Sequence, residues 1–128
     1  MFYNNLRRLE NYLRKVLKPY IIRRSYGLGS AYYTVKAGDV TFELEFIYGD
    51  LIRAPMLSFR ITTEDKGVAE VAKKYFGNWI KITKLDNRYL LQYIRNLWSG
   101  MSLSLNDYEE DRRQIKLIKN MIEEIIGE

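Results

Sequence analysis

The 128-residue chain contains no histidine and no cysteine. The first absence removes the commonest general base near neutral pH and a frequent metal ligand. The second removes thiol nucleophiles, disulfides and thiolate zinc sites. Carboxylate, lysine, arginine and hydroxyl groups remain for chemistry, and none falls in a pattern that specifies a reaction. With two prolines and eight glycines, no Pro-rich or Gly/Ser-rich linker divides the chain. No apolar run approaches the roughly 20 residues of a membrane span. Met1 to Arg7 lacks the basic-then-apolar layout of a signal peptide. One cytoplasmic domain spanning residues 1–128 is expected, with no cofactor, no metal and no membrane partner.

What is present is aromatic and basic. Eleven tyrosines, five phenylalanines and two tryptophans accompany a net charge of +5. The charge is segregated: residues 1–36 carry +7, 37–71 carry −4, 72–100 carry +5 and 101–128 carry −3. Two basic blocks separated by an acidic one suggest a single polyanion-binding face once folded. The plainer alternative is ordinary charge on a solvated surface.

Hydrophobic periodicity predicts an α+β domain, an antiparallel sheet of four to six strands with helices packed on one face. A first helix is expected from Asn4 or Asn5 to Lys18, stopped by Pro19. Leu6, Leu9, Leu13, Val16 and Leu17 make its core face, and Arg7, Arg8, Asn11, Arg14, Lys15 and Lys18 lie opposite. Strands follow over 20–26, 31–36, 40–48 and 56–62. In the third, Val40, Phe42, Leu44, Phe46 and Tyr48 alternate with Thr41, Glu43 and Glu45, as in a sheet with one solvated face.

Thr63 is expected to cap a second helix buried through Val68, Val71, Ala72, Tyr75 and Phe76 and ended by Gly77. Residues 79–98 fit two periods. One is a hairpin turning at Asp86-Asn87, with Ile80, Ile82, Leu91 and Tyr93 on one face. The other is a helix with a Tyr89, Leu90, Tyr93, Ile94, Leu97 and Trp98 stripe. Aromatic content favours the hairpin. Ser99 to Asn106 reads as a loop and Asp107 as the cap of a last helix. That helix has a broad apolar band of Ile115, Leu117, Ile118, Met121, Ile122, Ile125 and Ile126. Such a band fits either two neighbours within one fold or a homodimer through the C-terminal helix.

Gly27-Leu28-Gly29-Ser30 is a turn, since Tyr32 stands where a dinucleotide fingerprint needs glycine. Gly100-Met101-Ser102 has no P-loop Lys-Ser/Thr partner. Glu43 and Glu45 share a strand face, flanked by Asp39 and Asp50. They suit either a magnesium-dependent nuclease or a solvated face paired with Arg60, and the absence of a following Glu-X-Lys favours the second. The richest pattern is Tyr20, Arg23, Arg24, Tyr26, Tyr32, Tyr33 and Lys36, where tyrosines could stack bases and arginines neutralise phosphates. Lys73, Lys74, Lys81, Lys84, Arg88 and Arg95 form a second basic group. Arg7, Arg14, Lys18, Arg23, Arg24, Tyr26, Lys81 and Lys84 are the candidate nucleic-acid contacts. On alternation, Arg23 and Arg24 face opposite ways; only one can face solvent on a half-buried sheet, and the other must be paired or lie at an edge.

The segments Leu57-Ser58-Phe59-Arg60-Ile61-Thr62-Thr63-Glu64-Asp65-Lys66 and Val71-Ala72-Lys73-Lys74-Tyr75-Phe76-Gly77 resemble the central strand–helix segment of LAGLIDADG homing endonucleases. The likeness spans about half the chain. That family's defining helix ends in an acidic metal ligand, whereas this first helix ends Val16-Leu17-Lys18-Pro19. The resemblance therefore implies a DNA-binding sheet without the cleavage site. An αββαββα-like order also resembles small protein-binding chaperone folds. Thirteen isoleucines against two glutamines give a composition resembling proteins of hyperthermophilic archaea and their viruses. The leading expectation is a non-enzymatic nucleic-acid-binding or accessory protein. The alternative is a protein-interaction module that acts on a partner machine.

Overall fold

In the computed structural model, residues 2–49, 52–97 and 105–127 are described, the side chains of Phe2 and Tyr3 excepted. The elements are α1 (Phe2–Val16), β1 (Ile21–Gly27), β2 (Ser30–Ala37), β3 (Val40–Ile47), β4 (Met56–Thr63), α2 (Lys66–Phe76), β5 (Ile80–Leu85), β6 (Arg88–Asn96) and α3 (Leu105–Gly127), with a short 3₁₀ turn at Gly77–Trp79. The six strands form one sheet in the order β1-β2-β3-β4-β6-β5, and every neighbouring pair is antiparallel. The fold is α+β, with its three helices on one face of the sheet. Four strands separate α1 from α2, so the chain order is αββββαββα.

Local sequence explains the turns. Leu28-Gly29 and Gly38-Asp39 link consecutive strands, with Gly29 at φ 72° and Gly38 at φ 63°, where a side chain would be strained. Asp86-Asn87 does close a hairpin, with Asp86 at φ 55°. The helical alternative for this segment is thereby set aside, except at Trp98, which lies outside the described residues. The cap of α2 is Asp65 rather than Thr63. The Asp65 carboxylate accepts from Gly67 N–H at 2.8 Å, and Thr63 Oγ1 accepts from Asp65 N–H at 3.0 Å. Thr63 remains the last residue of β4, because its pairing opposite Tyr89 continues the ladder. The expected loop over 99–106 is helix at Leu105 and Asn106, and the rest of it lies outside the described residues, as does the Gly100-Met101-Ser102 stretch.

The alternation of β3 lays Phe42, Leu44 and Phe46 into the core and leaves Thr41 and Glu43 exposed. Across the neighbouring strands Phe59 stacks on Tyr93 with ring centroids 5.0 Å apart, and Phe76 of α2 closes on Tyr93 at 4.8 Å. The long helix α3 lies against α1, α2 and β2. Its buried residues are Tyr108, Asp111, Gln114, Ile115, Ile118, Met121, Ile122 and Ile125, so most of the broad band is taken up within this chain. Ile126 is 46% exposed. Two buried polar groups on α3 have partners: Tyr93 donates to Gln114 Oε1 at 2.9 Å, and Arg95 pairs with Asp111 at 3.4 Å. Among the described residues no helix is long and apolar enough to cross a membrane.

Candidate functional site

Leu17 to Tyr20 swing the chain from α1 into β1. Leu17 N–H donates to Leu13 O at 3.0 Å, and the N–H groups of Tyr20 and Ile21 both donate to Leu17 O at 2.9 and 3.1 Å. Pro19, which cannot continue a helix, occupies the corner. The turn is tight enough that the end of α1 lies alongside the start of β1, with a cleft between them.

That cleft has a volume of about 620 Å³. Asn11, Arg14, Lys15 and Lys18 line one side; Ile21, Ile22, Arg23 and Arg24 line the other; Tyr33 completes it. A second cleft of about 400 Å³ continues along α1 between Arg7, Glu10, Asn11 and Arg14 and the strand-end residues Tyr26, Gly27, Gly29, Ser30, Tyr48 and Gly49. Asn11 and Arg14 border both, so the two make one trough. Six cations line it, and the single carboxylate among the lining residues is Glu10. Arg14, Lys15, Lys18, Arg23 and Arg24 form no ion pair with any described carboxylate.

Glu10 is already engaged. Its carboxylate is buried and accepts from the hydroxyls of Tyr33 and Tyr48, one to each oxygen. Burial, reinforced by the Glu10 carboxylate, drives the Tyr33 phenol well above its ordinary pKa. Tyr33 therefore stays a neutral donor and fixes α1 to the sheet beneath the trough.

The register of β1 places its arginines. Arg23 is opposite Thr34 and Arg24 opposite Tyr33, so their side chains leave the strand on opposite faces. Both are exposed, and of the two alternatives for the second arginine, paired or at an edge, the edge holds. The reason is position: β1 is an edge strand, and only Ile21 in it is even half-buried. The ladder slips between Ile21 and Arg23, leaving Ile22 as the extra residue of a bulge. Ile22 is 60% exposed within the trough. Farther along, Tyr26 is 58% exposed and carries the Arg24 guanidinium 5.2 Å from its ring centroid.

Of the expected contacts, Arg7, Arg14, Lys18, Arg23, Arg24 and Tyr26 come together here. Lys81 and Lys84 do not. They lie on β5, at the opposite edge of the sheet, five strand spacings or about 24 Å away. They also face opposite ways, since Lys81 is paired with Gln92 and Lys84 with Tyr89 in the adjoining register. The rest of the second basic group is dispersed and partly neutralised: Lys74 pairs with Glu124 at 2.7 Å, Arg88 with Glu64 at 3.9 Å and Arg95 with Asp111. The two basic blocks thus do not make one face. Lys15, Asn11 and Ile22 were not among the expected contacts. Lys15 was visible as part of the charged stripe of α1, and the consecutive Ile21-Ile22 breaks strand alternation as a bulge does.

No family model, no curated protein and no solved structure matches the chain.

The carboxylate pair on β3 has a different setting. Glu45 pairs with Arg53 at 3.3 Å, and Glu43 stands directly opposite Arg60 in the β3–β4 register. Among the described residues no three carboxylates converge as metal ligands would. Asp50 lies outside those residues.

Proposed function

We propose that the chain is a non-enzymatic nucleic-acid-binding or accessory protein that holds a polyanion in the trough between α1 and β1. One observation carries this reading: Arg14, Lys15, Lys18, Arg23 and Arg24, from α1, the turn after it and β1, surround one cleft with no described carboxylate paired to them. Uncompensated cations on facing walls are held apart at an electrostatic cost, and a string of phosphates relieves it while releasing counterions. Under the LAGLIDADG likeness the contact would be the exposed sheet face. That face carries Glu43 and Glu45 near its middle, so charge favours the trough. The reading places the protein in the cytoplasm and assigns it no reaction.

The test is the salt dependence of binding to labelled DNA and RNA oligomers. Affinity should fall steeply between low and moderate salt, with little sequence preference, because no base-reading motif accompanies the cations. Absence of binding at low salt to every oligomer tried would remove this reading.

A protein-interaction role is favoured by a separate feature. Trp79 and Ile94, 56% and 67% exposed, flank a cleft of about 540 Å³ beside β5. Exposed apolar groups of this kind suit a protein partner.

A further inference from the structure

Resting on the polyanion reading, we infer that the trough selects unpaired over duplex nucleic acid, with bases seated on Ile22 and Tyr26 and phosphates on the flanking cations. Cations alone do not discriminate, because both forms of nucleic acid offer phosphate. The discriminating feature is what lies between the cations. The bulge in β1 puts an isoleucine, 60% exposed, among Arg14, Lys15, Lys18, Arg23 and Arg24. A duplex buries its bases and presents a charged exterior, so it would seal Ile22 against phosphate and sugar and gain nothing from it. An unpaired strand carries apolar base faces that can cover Ile22 while its phosphates reach both walls.

Tyr26 supplies the second seat. Its ring has Arg24 near it at 5.2 Å and is 58% exposed, leaving area for a stacked base. Arginine beside an exposed tyrosine is an arrangement suited to stacking without sequence preference. Ile22 and Tyr26 are four residues apart on one strand, about 13 Å at the usual rise. Both therefore serve one bound strand running along β1, with α1 as the far wall.

The trough is also shaped by a rigid frame. Glu10, Tyr33 and Tyr48 hold α1 against the sheet at its floor. These two hydrogen bonds, one buried and one part-buried, fix the α1 wall in place. The shared chemistry is that of unpaired DNA or RNA, since base faces and phosphates are common to both.

The experiment measures anisotropy of the whole protein with labelled single-stranded DNA, single-stranded RNA and a DNA duplex, each of about twelve nucleotides. At equal salt a single strand of at least one kind should bind about tenfold tighter than the duplex, the equivalent of one stacked base. Ile22→Ser and Tyr26→Ser should each weaken single-strand binding severalfold and leave duplex binding unchanged. Both side chains are exposed, so melting temperature should stay near the parent value, and this is checked alongside. Duplex binding equal to or tighter than both single strands overturns the inference, and so do single-strand affinities that neither substitution changes. In either case the polyanion reading stands. No binding to any of the three probes overturns both.

Discussion

Tyr33 donates its phenolic hydrogen to the buried carboxylate of Glu10, joining the middle of β2 to α1. Tyr48 donates to the other oxygen of the same group. A carboxylate this buried is tolerated because each of its oxygens accepts a hydrogen bond. Glu10→Ala should therefore remove the acceptor of both hydroxyls and cost about 2–4 kcal/mol in urea unfolding. Glu10→Gln keeps one acceptor oxygen and should cost less. It should also tighten polyanion binding at low salt, because it removes the trough's lone negative charge. Equal stability of Glu10→Ala and the parent would show that the tie is not structural.

The buried phenols set an alkaline limit. Burial holds both Tyr33 and Tyr93 above the ordinary value of 10.0. Their protonated state is shared by the folded and unfolded chains below that value, so the stability is fully present there. Above it the unfolded chain ionises first and binds fewer protons, and stability falls as pH rises toward the folded values. Each phenol contributes up to about 1.4 kcal/mol per pH unit. The double variant Tyr33→Phe, Tyr93→Phe should unfold along a shallower alkaline slope, read by circular dichroism. An unchanged slope would assign alkaline unfolding to other groups.

The cations of the trough should act as a set. Replacing Arg14, Lys18 and Arg24 by glutamine should lower the slope of log affinity against log salt by about 2–3. Stability should change by less than about 1 kcal/mol, since none of the three is in an ion pair with a described carboxylate. Arg23→Ala and Arg24→Ala should each weaken binding, because both line the cleft. Lys81→Gln with Lys84→Gln, at the other edge, should not. Loss of binding in that pair alone would move the contact surface to β5.

Two isoleucines of α3 separate core from surface. Ile118 is fully buried and Ile126 is 46% exposed. Ile118→Asp places an unpaired charge in the core and should cost about 3–5 kcal/mol. Ile126→Asp should cost under about 1 kcal/mol. A similar melting temperature for the two variants would mean that α3 is peripheral.

Period and turn chemistry made the elements legible. The strict alternation of β3 and the Gly38 and Gly77 breaks are local signals, and so are the strand edges they imply. The cap of α2 was misplaced by two residues because Thr63 and Asp65 both suit the role; strand pairing with Tyr89 decided it. Strand order was not legible. Nothing local to residues 80–96 says that β6 inserts beside β4 and leaves β5 outside. Hence the distance between Arg24 and Lys84 lay beyond sequence reasoning, as did the choice between a paired and an edge position for the second arginine of β1. The same holds for Asp111 and Gln114. They lie on the buried face of α3 just before its apolar band, where Arg95 and Tyr93 pair with them across the packing.

The edge position of β1 has one more consequence, for aggregation. An open sheet has two unpaired ladders, and each invites another copy of the chain to extend it. Here β1 carries the bulge, Arg23 and Arg24, and β5 carries Lys81 and Lys84. Like-charge repulsion guards both rims, and the bulge at Ile22 spoils the flat template that stacking strands require. The arginines that offer a polyanion its seat are thus the same groups that keep one rim from zipping onto a neighbour.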